Sequence, residues 1–438
     1  MRIDLIKSIE EGKGEGIEKY FLLDRDQRIA VLRECEGDIQ RITSLIKKRK
    51  RSIFDERLSF FLTHLDDIPT PSYVIDELLI EENMKVLLYV KDRTGCKILH
   101  ALKAYSSYHT FKVMREYLDG VCASGLNEAK LGYYEFGKEV HTFGAAYPER
   151  EIKGIIKFSD VVIFNSFNQM EKFGKEAKKR GKEVGIRVNP GYSEVKTRMY
   201  DPCAPNSRLG VNQEIFEREY PNFRGMIDGI HFHAMCEQNS DVLERILRRF
   251  VEKYEPYIRE VKWVSFGGGH HITRDDYDVE LLVKLIKDFM DAYGVIVYLE
   301  PGEASVLDCG YYVSSVLDIV RNGMDIAIID GSVEAHLPDV LLMPYRPYIL
   351  GSHAPYEKPY TYRIGGVSCL AGDIVGDYSF DEPLRTNKKL VFTDMAHYTI
   401  VKNNTFNGIN LPSIVILRKD GEVEVVKRFS YKDFKRRL

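Results

Sequence analysis

The chain has 438 residues, enough for two domains with separate hydrophobic cores. Its 44% hydrophobic and 29% charged content is that of an ordinary soluble globular protein. A net charge of −3 provides no whole-protein field to gather nucleic acid or an anionic membrane, so neither is expected as a partner.

The opening stretch, MRIDLIKSIEEGKGEGIEKY, is too charged to serve as a secretory leader. Residues 1–65 read as a helical N-terminal extension. In RIAVLRECEGDIQRITSLIKKRKR, the residues Val31, Ile39, Ile42, Leu45 and Ile46 fall at roughly helical spacing with charges between them. The basic run KKRKR at 47–51 reads as a solvated helix end, with a contact surface as the alternative. Pro69 and Pro71 then break helix and mark a boundary. Residues 66–95 are expected to lead into the next domain, with PSYVIDELLI supplying a strand to a distant β domain.

Over 96–310 short apolar runs alternate with charged helical stretches. The runs are KILHAL, GVCAS, VVIFNS, VGIRVNP, GIHFHA, WVSFGGG and VIVYLEPG. Strand–helix alternation implies a parallel sheet with helical crossovers, and this many units favours an eight-stranded (β/α)8 barrel. Polar residues cluster where the runs end: Lys103, Ser124, Asn165, Arg187, His233, a glycine triplet and Glu300. A barrel keeps its chemistry at that end of its strands. Residues 311–438 carry strand-like segments, with KDGE as a hairpin turn, and predict a mainly β C-terminal domain. No run approaches the ~18 apolar residues of a membrane span. The seven cysteines are scattered, odd in number and lack CxxC spacing, which predicts a reducing, cytoplasmic setting without disulfides or zinc.

Four features belong together. Lys103 ends the first barrel run in LHALKAYSS. HFH at 231–233 is expected to turn one histidine inward. The triplet Gly267, Gly268 and Gly269 offers backbone N–H groups as a phosphate cradle. Glu300 and Glu303 flank Pro301 and Gly302 in LEPGEA, and Gly302 permits close backbone approach. Lysine, imidazole, phosphate cradle and carboxylate are the pieces that pyridoxal phosphate needs. The lysine holds its aldehyde, the imidazole covers its ring and the carboxylate keeps its pyridine nitrogen protonated. A metal-dependent hydrolase is disfavoured because ligand clusters are missing, and His270 and His271 read as loop residues. No metal is expected.

The order of these residues resembles the alanine-racemase-like, fold-type III pyridoxal-phosphate decarboxylases, from about residue 70 to 435. HFHAMCEQ, FGGGHHIT, EPGEA, HLPDVLLMP, SCLAGD and MAHYTIVKNNTFNG are similar to the carboxynorspermidine/carboxyspermidine decarboxylase branch. By that resemblance Lys103 carries the cofactor and His233 stacks on its ring. Gly267, Gly268, Gly269 and Tyr398 contact its phosphate, with Gly302 close by, and Glu300 pairs with its nitrogen. Cys236 stands where relatives often place a serine phosphate contact. Cys369 is the implied proton donor to the α-carbon. The resemblance also implies a homodimer in which Cys369 and Tyr398 complete the other subunit's site.

Glu303 stands where relatives typically have an arginine, and Leu370 where they have an acidic residue. An arginine would clasp a distal carboxylate, whereas a polyamine arm offers ammonium groups that want acceptors. Glu303 and Asp339 are therefore the implied substrate contacts. The expected reaction releases carbon dioxide from carboxynorspermidine or carboxyspermidine, giving norspermidine or spermidine. Alternatives are decarboxylation of diaminopimelate, ornithine or arginine, or a non-catalytic regulator on the same barrel.

Overall fold

The computed structural model describes residues 2–35 and 39–438. Met1 and residues 36–38, which fall in the expected N-terminal extension, lie outside the described residues. The chain divides into two compact units. One comprises Met1–Ser52, Glu81–Lys103 and Thr110–Ser305; the other comprises Ile53–Ile80, Ala104–His109 and Val306–Leu438.

The first unit is built on a closed barrel of eight parallel strands. In chain order after β1 (Ser72–Asp76, in the second unit), these are β2 (Lys97–Ala101), β3 (Gly120–Ala123), β4 (Glu139–Phe143), β5 (Val161–Phe164), β6 (Glu183–Arg187), β7 (Gly229–His231), β8 (Trp263–Ser265) and β9 (Ile296–Leu299). Closure is made by β9 on β2, where Lys97 faces Tyr298 and Ile98 faces Leu299. The barrel matches the sequence expectation, with one strand, EVHTF, unforeseen. Its Glu139, His141 and Thr142 broke the apolar signal. Two of them find partners: Thr142 Oγ1 lies 2.7 Å from Ser159 Oγ, and Glu139 binds Lys97.

The barrel interior shows why certain residues must be small. A Cβ on Gly229 would come within 2.1 Å of the Trp263 ring, and one on Gly185 within 2.7 Å. Trp263 instead packs with Leu99, Val161, Ile163 and Tyr298, and its indole N–H donates to Glu183 at 2.8 Å. Each such buried side chain contributes roughly 1.5–3 kcal/mol. Outside the barrel, helices bury one face. In Glu149–Phe158 the buried positions are Ile152, Ile155, Ile156 and Phe158. Ser166 ends the VVIFNS run by capping Phe167–Lys179, its hydroxyl accepting the Gln169 N–H.

The N-terminal residues form α1 (Arg2–Glu10), α2 (Gly14–Leu22), α3 (Arg25–Glu34) and α4 (Ile39–Thr63). Asp24 caps α3 by accepting the Gln27 N–H at 2.9 Å. Arg28 is buried and pairs with Asp92 of α5 (Glu77–Thr94) at 2.6 Å. Breaking such a buried pair from one side costs about 3–5 kcal/mol. The run KKRKR does not end a helix, as its charge had implied: α4 continues to Thr63, and Lys50 is buried. Acceptors on the segment that follows the glycine triplet draw Lys47 and Lys50 inward, while Lys48 and Arg51 stay exposed.

The second unit contains a nine-stranded sheet. Its long strand β10 (Gly310–Asn322) pairs antiparallel with β1, β11 (Met324–Ile329) and β15 (Lys389–Thr393). β1 also pairs parallel with β16 (Ser413–Leu417). Only SYVID of PSYVIDELLI is strand; ELLI opens α5. Asp76 marks the change, its carboxylate accepting the N–H groups of Leu78 and Leu79. The region of Asp339, read as strand and loop, is instead two short helices, Val333–His336 and Pro338–Leu342. Ser332 caps the first and Pro338 opens the second. Among the described residues no helix is long and apolar enough to cross a membrane.

Candidate active site

The ends of the barrel strands converge on one cavity, lined by Lys103, Cys122, Phe143, Arg187, His231, His233, Gly268 and Glu300 among others. Lys103 follows β2 and extends into open cavity space while protein surrounds it. Burial, reinforced by the Arg187 cation, lowers its pKa against the opposing pull of Cys122 and Glu300. A lowered pKa raises the fraction of free amine, the form that attacks a carbonyl.

Glu300 follows β9 and is buried. Its Oε1 accepts the Ser265 hydroxyl at 2.7 Å, and its Oε2 lies 3.2 Å from His231 Nε2. Burial alone would raise the carboxyl pKa; His231 and Ser265 outweigh it and hold it at about 2. Glu300 is therefore an anion with one fixed orientation. His231 is itself lowered by burial, against the raising influence of Glu300. Its Nδ1 has no hydrogen-bond partner among the described residues, so Nε2 carries the proton toward Glu300. Phe143 stacks beside His231 with ring centroids 5.6 Å apart, and the Arg187 guanidinium lies 4.5 Å from the Phe143 centroid. Burial brings Arg187 down to about 10.

The HFH reading needs correction. Residues two apart on an extended segment share a face, so both His231 and His233 line the cavity, not one. His233 Nδ1 accepts the Gly268 N–H at 2.9 Å, which leaves the ring proton on Nε2. Burial, then Lys103 and Arg187, keep this imidazole neutral by pushing its pKa well down.

The glycine triplet is required by packing as well as by conformation. Gly267 has φ +69°, and a Cβ there would stand 2.4 Å from the Phe232 carbonyl oxygen. Gly269 has φ +85°, with Met235 O at 2.1 Å from its virtual Cβ. Two of the three amides are already engaged, Gly267 N–H by Ser265 Oγ at 3.2 Å and Gly268 N–H by His233. Gly269 alone keeps an N–H with no acceptor among the described residues. Gly302 begins a tight turn, its carbonyl accepting the Ser305 N–H at 3.2 Å.

A second cluster lies beyond that turn. Glu303, Glu237 and His271 bring their ligand atoms within 4.8 Å of one another. Such a trio has donors for a divalent cation. However, Arg274 donates to His271 Nδ1 at 3.3 Å, so the ring proton sits on Nε2, which is 3.3 Å from Glu303 Oε1. His271 Nε2 faces Glu303 Oε1 at this distance without making a hydrogen bond among the described residues. Glu237 escaped the sequence reading, and His271 was read only as a loop residue, because they join Glu303 only through tertiary structure. His231 and Ser265 were equally hidden as partners of Glu300.

The remaining predicted residues lie in the second unit. Asp339 is ion-paired with Lys402, whose ammonium lies 5.0 Å from the Tyr398 ring centroid. Tyr398 has φ +50° and donates its N–H to Ala104 O at 2.8 Å. Cys369 is exposed, and its N–H donates to Asn407 Oδ1 at 2.8 Å.

The cavity's residues fit pyridoxal phosphate on their own chemistry. They provide an amine with a lowered pKa, a rigid anion, a neutral imidazole and a glycine loop with a free amide. The comparisons agree. Residues 60–396 match the family model described as pyridoxal-dependent decarboxylase, C-terminal sheet domain. The chain is 43% identical to the carboxynorspermidine/carboxyspermidine decarboxylase of Campylobacter jejuni, over 84% of this chain and 98% of that protein. It is 36% identical to a carboxyaminopropylagmatine decarboxylase of Synechocystis, over 85% of this chain and 96% of that one. A crystal structure of the Campylobacter jejuni carboxynorspermidine decarboxylase, complexed with norspermidine, superposes with a TM-score of 0.79 at 42% identity. It covers 85% of this chain and all of that one. A match of this extent, on a barrel whose strand ends carry the cofactor's chemistry, means that the chain belongs to the pyridoxal-dependent decarboxylases, in the carboxynorspermidine/carboxyspermidine decarboxylase branch.

Proposed function

We propose that the protein decarboxylates the amino-acid end of carboxynorspermidine or carboxyspermidine, releasing norspermidine or spermidine. The observation that carries this reading is the pair of carboxylates, Glu303 and Glu237, gathered around His271. Cationic amines are attracted to such a cluster and a distal carboxylate is repelled. Asp339 is ion-paired with Lys402, so the Glu303–Glu237 cluster has the greater density of negative charge for the substrate arm.

When bound, pyridoxal phosphate supplies an electron sink for the pair left on the α-carbon as carbon dioxide departs. Lys103 Nζ would hold the cofactor's aldehyde, its lowered pKa favouring the free amine that this needs. Glu300, fixed as an anion by His231 and Ser265, would hold a proton at the ring nitrogen. His233 would cover the ring. The Gly267–Gly269 loop and Gly302 would receive the phosphate, with the Gly269 N–H as the free donor and Tyr398 of the partner subunit as a further contact. Cys369 of the partner subunit delivers a proton to the α-carbon, in a homodimer whose subunits complete each other's sites. The seven free cysteines support a reducing, cytoplasmic setting.

The test is turnover, with added pyridoxal phosphate, of carboxynorspermidine, carboxyspermidine, carboxyaminopropylagmatine and diaminopimelate. The first two are expected to give the highest kcat/KM. Faster release of carbon dioxide from diaminopimelate would sink the reading. Preference for carboxyaminopropylagmatine would redirect it to a guanidinium-bearing arm.

A further inference from the structure

The basic run KKRKR has no role in the chemistry above, yet α4 does not leave all of it in solvent. Thr43, Lys47, Lys50 and Arg51 recur at helical spacing on one side of α4, and all four reach the segment 273–280. Lys50, only 7% exposed, donates to the Thr273 carbonyl at 2.6 Å. Lys47 donates to the carbonyls of Asp275 at 2.6 Å and Tyr277 at 2.8 Å. The Thr273 and Asp275 carbonyls lie in consecutive turns and accept no backbone N–H among the described residues, so the two ammonium groups complete their hydrogen bonding, while Tyr277 O also accepts the Val279 N–H at 3.1 Å. Arg51 lies 3.7 Å from the Asp275 carboxylate, and Thr43 bonds Glu280.

The same segment continues to the rim of the site by two links. Thr273 Oγ1 donates to Ala304 O at 2.6 Å, inside the turn Glu303–Ser305. His271 Nε2 faces Glu303 Oε1 at 3.3 Å. From Lys50 to the Glu303 turn there are thus two hydrogen bonds and one residue.

We propose that the N-terminal extension is a positioning element for substrate recognition: Lys47 and Lys50 clamp the 271–278 loop and thereby hold Glu303 in place. This rests on the reading of Glu303 as the acceptor for the substrate's amine arm. Lys50 is a positioning residue, since it acts through Thr273 and Ala304.

The test compares Lys50→Met with Lys50→Arg in the full-length holoenzyme. Lys50→Met is expected to raise amide exchange across 271–278 and to raise KM for carboxynorspermidine about fivefold. Its kcat stays within about twofold and its bound cofactor is unchanged; Lys50→Arg restores KM. Lys48→Met, altering an exposed neighbour, serves as the control and leaves KM unchanged. In a Glu303→Gln background Lys50→Met adds little further to KM, because its effect passes through that carboxylate. Unchanged loop exchange overturns the clamp whatever Glu303 does. Raised exchange with unchanged KM overturns the link to recognition and leaves a merely docked helix. A Glu303→Gln enzyme with normal KM sinks the arm reading itself, a separate outcome from either. Should Lys50→Met fail to fold, the half-buried Lys47→Met removes the Asp275 and Tyr277 contacts with the same readouts.

Discussion

Glu300 and Glu303 stand three residues apart on either side of one tight turn, and their surroundings differ in kind. Glu300 is buried, with both oxygens committed, one to Ser265 and one to His231, and ionised down to about 2. Glu303 is half-buried in a cluster with a second carboxylate, reached by one histidine. The first environment makes a fixed charge suited to a cofactor common to the whole family. The second gathers negative charge at the rim, where the proposed substrate arm would meet it.

Removing the inner region's amine is expected to have the largest effect. Lys103→Ala should lower kcat by about 10²–10⁴-fold, and borohydride should no longer fix the cofactor to the chain. Retained turnover with a fixed cofactor would place the attachment elsewhere and erase the inner region's distinction.

Glu300→Gln sharpens the contrast through pH. Because the folded pKa lies below the ordinary 4.5, the carboxylate contributes stability that is present above that value and lost as pH falls toward about 2. Wild-type stability measured by denaturant titration should therefore decline across that window, and the variant should lack that part of the slope. Identical slopes would show that Glu300 is not held as an anion by its neighbours.

A smaller effect is expected at the rim. Glu303→Gln should raise KM for carboxynorspermidine by about 10-fold with kcat little altered, since a hydrogen bond to a charged group is worth about 1.5–3 kcal/mol. A fall in kcat at constant KM would instead move Glu303 into the inner region.

Much of this molecule was legible in one sequence. The barrel could be read because seven of its strands are apolar runs ended by polar residues, and the parallel arrangement follows from the helices between them. β4 was missed because Glu139, His141 and Thr142 obscure the run. The helices around Asp339 were missed because a short segment with a proline resembles a loop until Ser332 is seen capping its start. In the site, Lys103, His233, the glycine triplet and Glu300 could be named because their residue types and order match one cofactor's needs. Ser265, His231, Glu237 and His271 could not be named as partners, because a hydrogen bond across the barrel leaves no spacing in the chain. The basic run of α4 was misread for a related reason: charge predicts solvent only while no buried carbonyls are known to await it.

The sequence by itself determined the alternation of strands and helices, the class of cofactor and the unusual carboxylate at Glu303. Periodicity, strand-end residue types and turn glycines are local properties, and local properties survive in one dimension. Tertiary structure alone decided that Glu300 is an oriented anion, that both histidines of HFH enter the cavity, and that Lys47 and Lys50 close on the loop of His271. Each of these depends on which groups meet after the chain has folded, and on how far burial strengthens the charges that meet there.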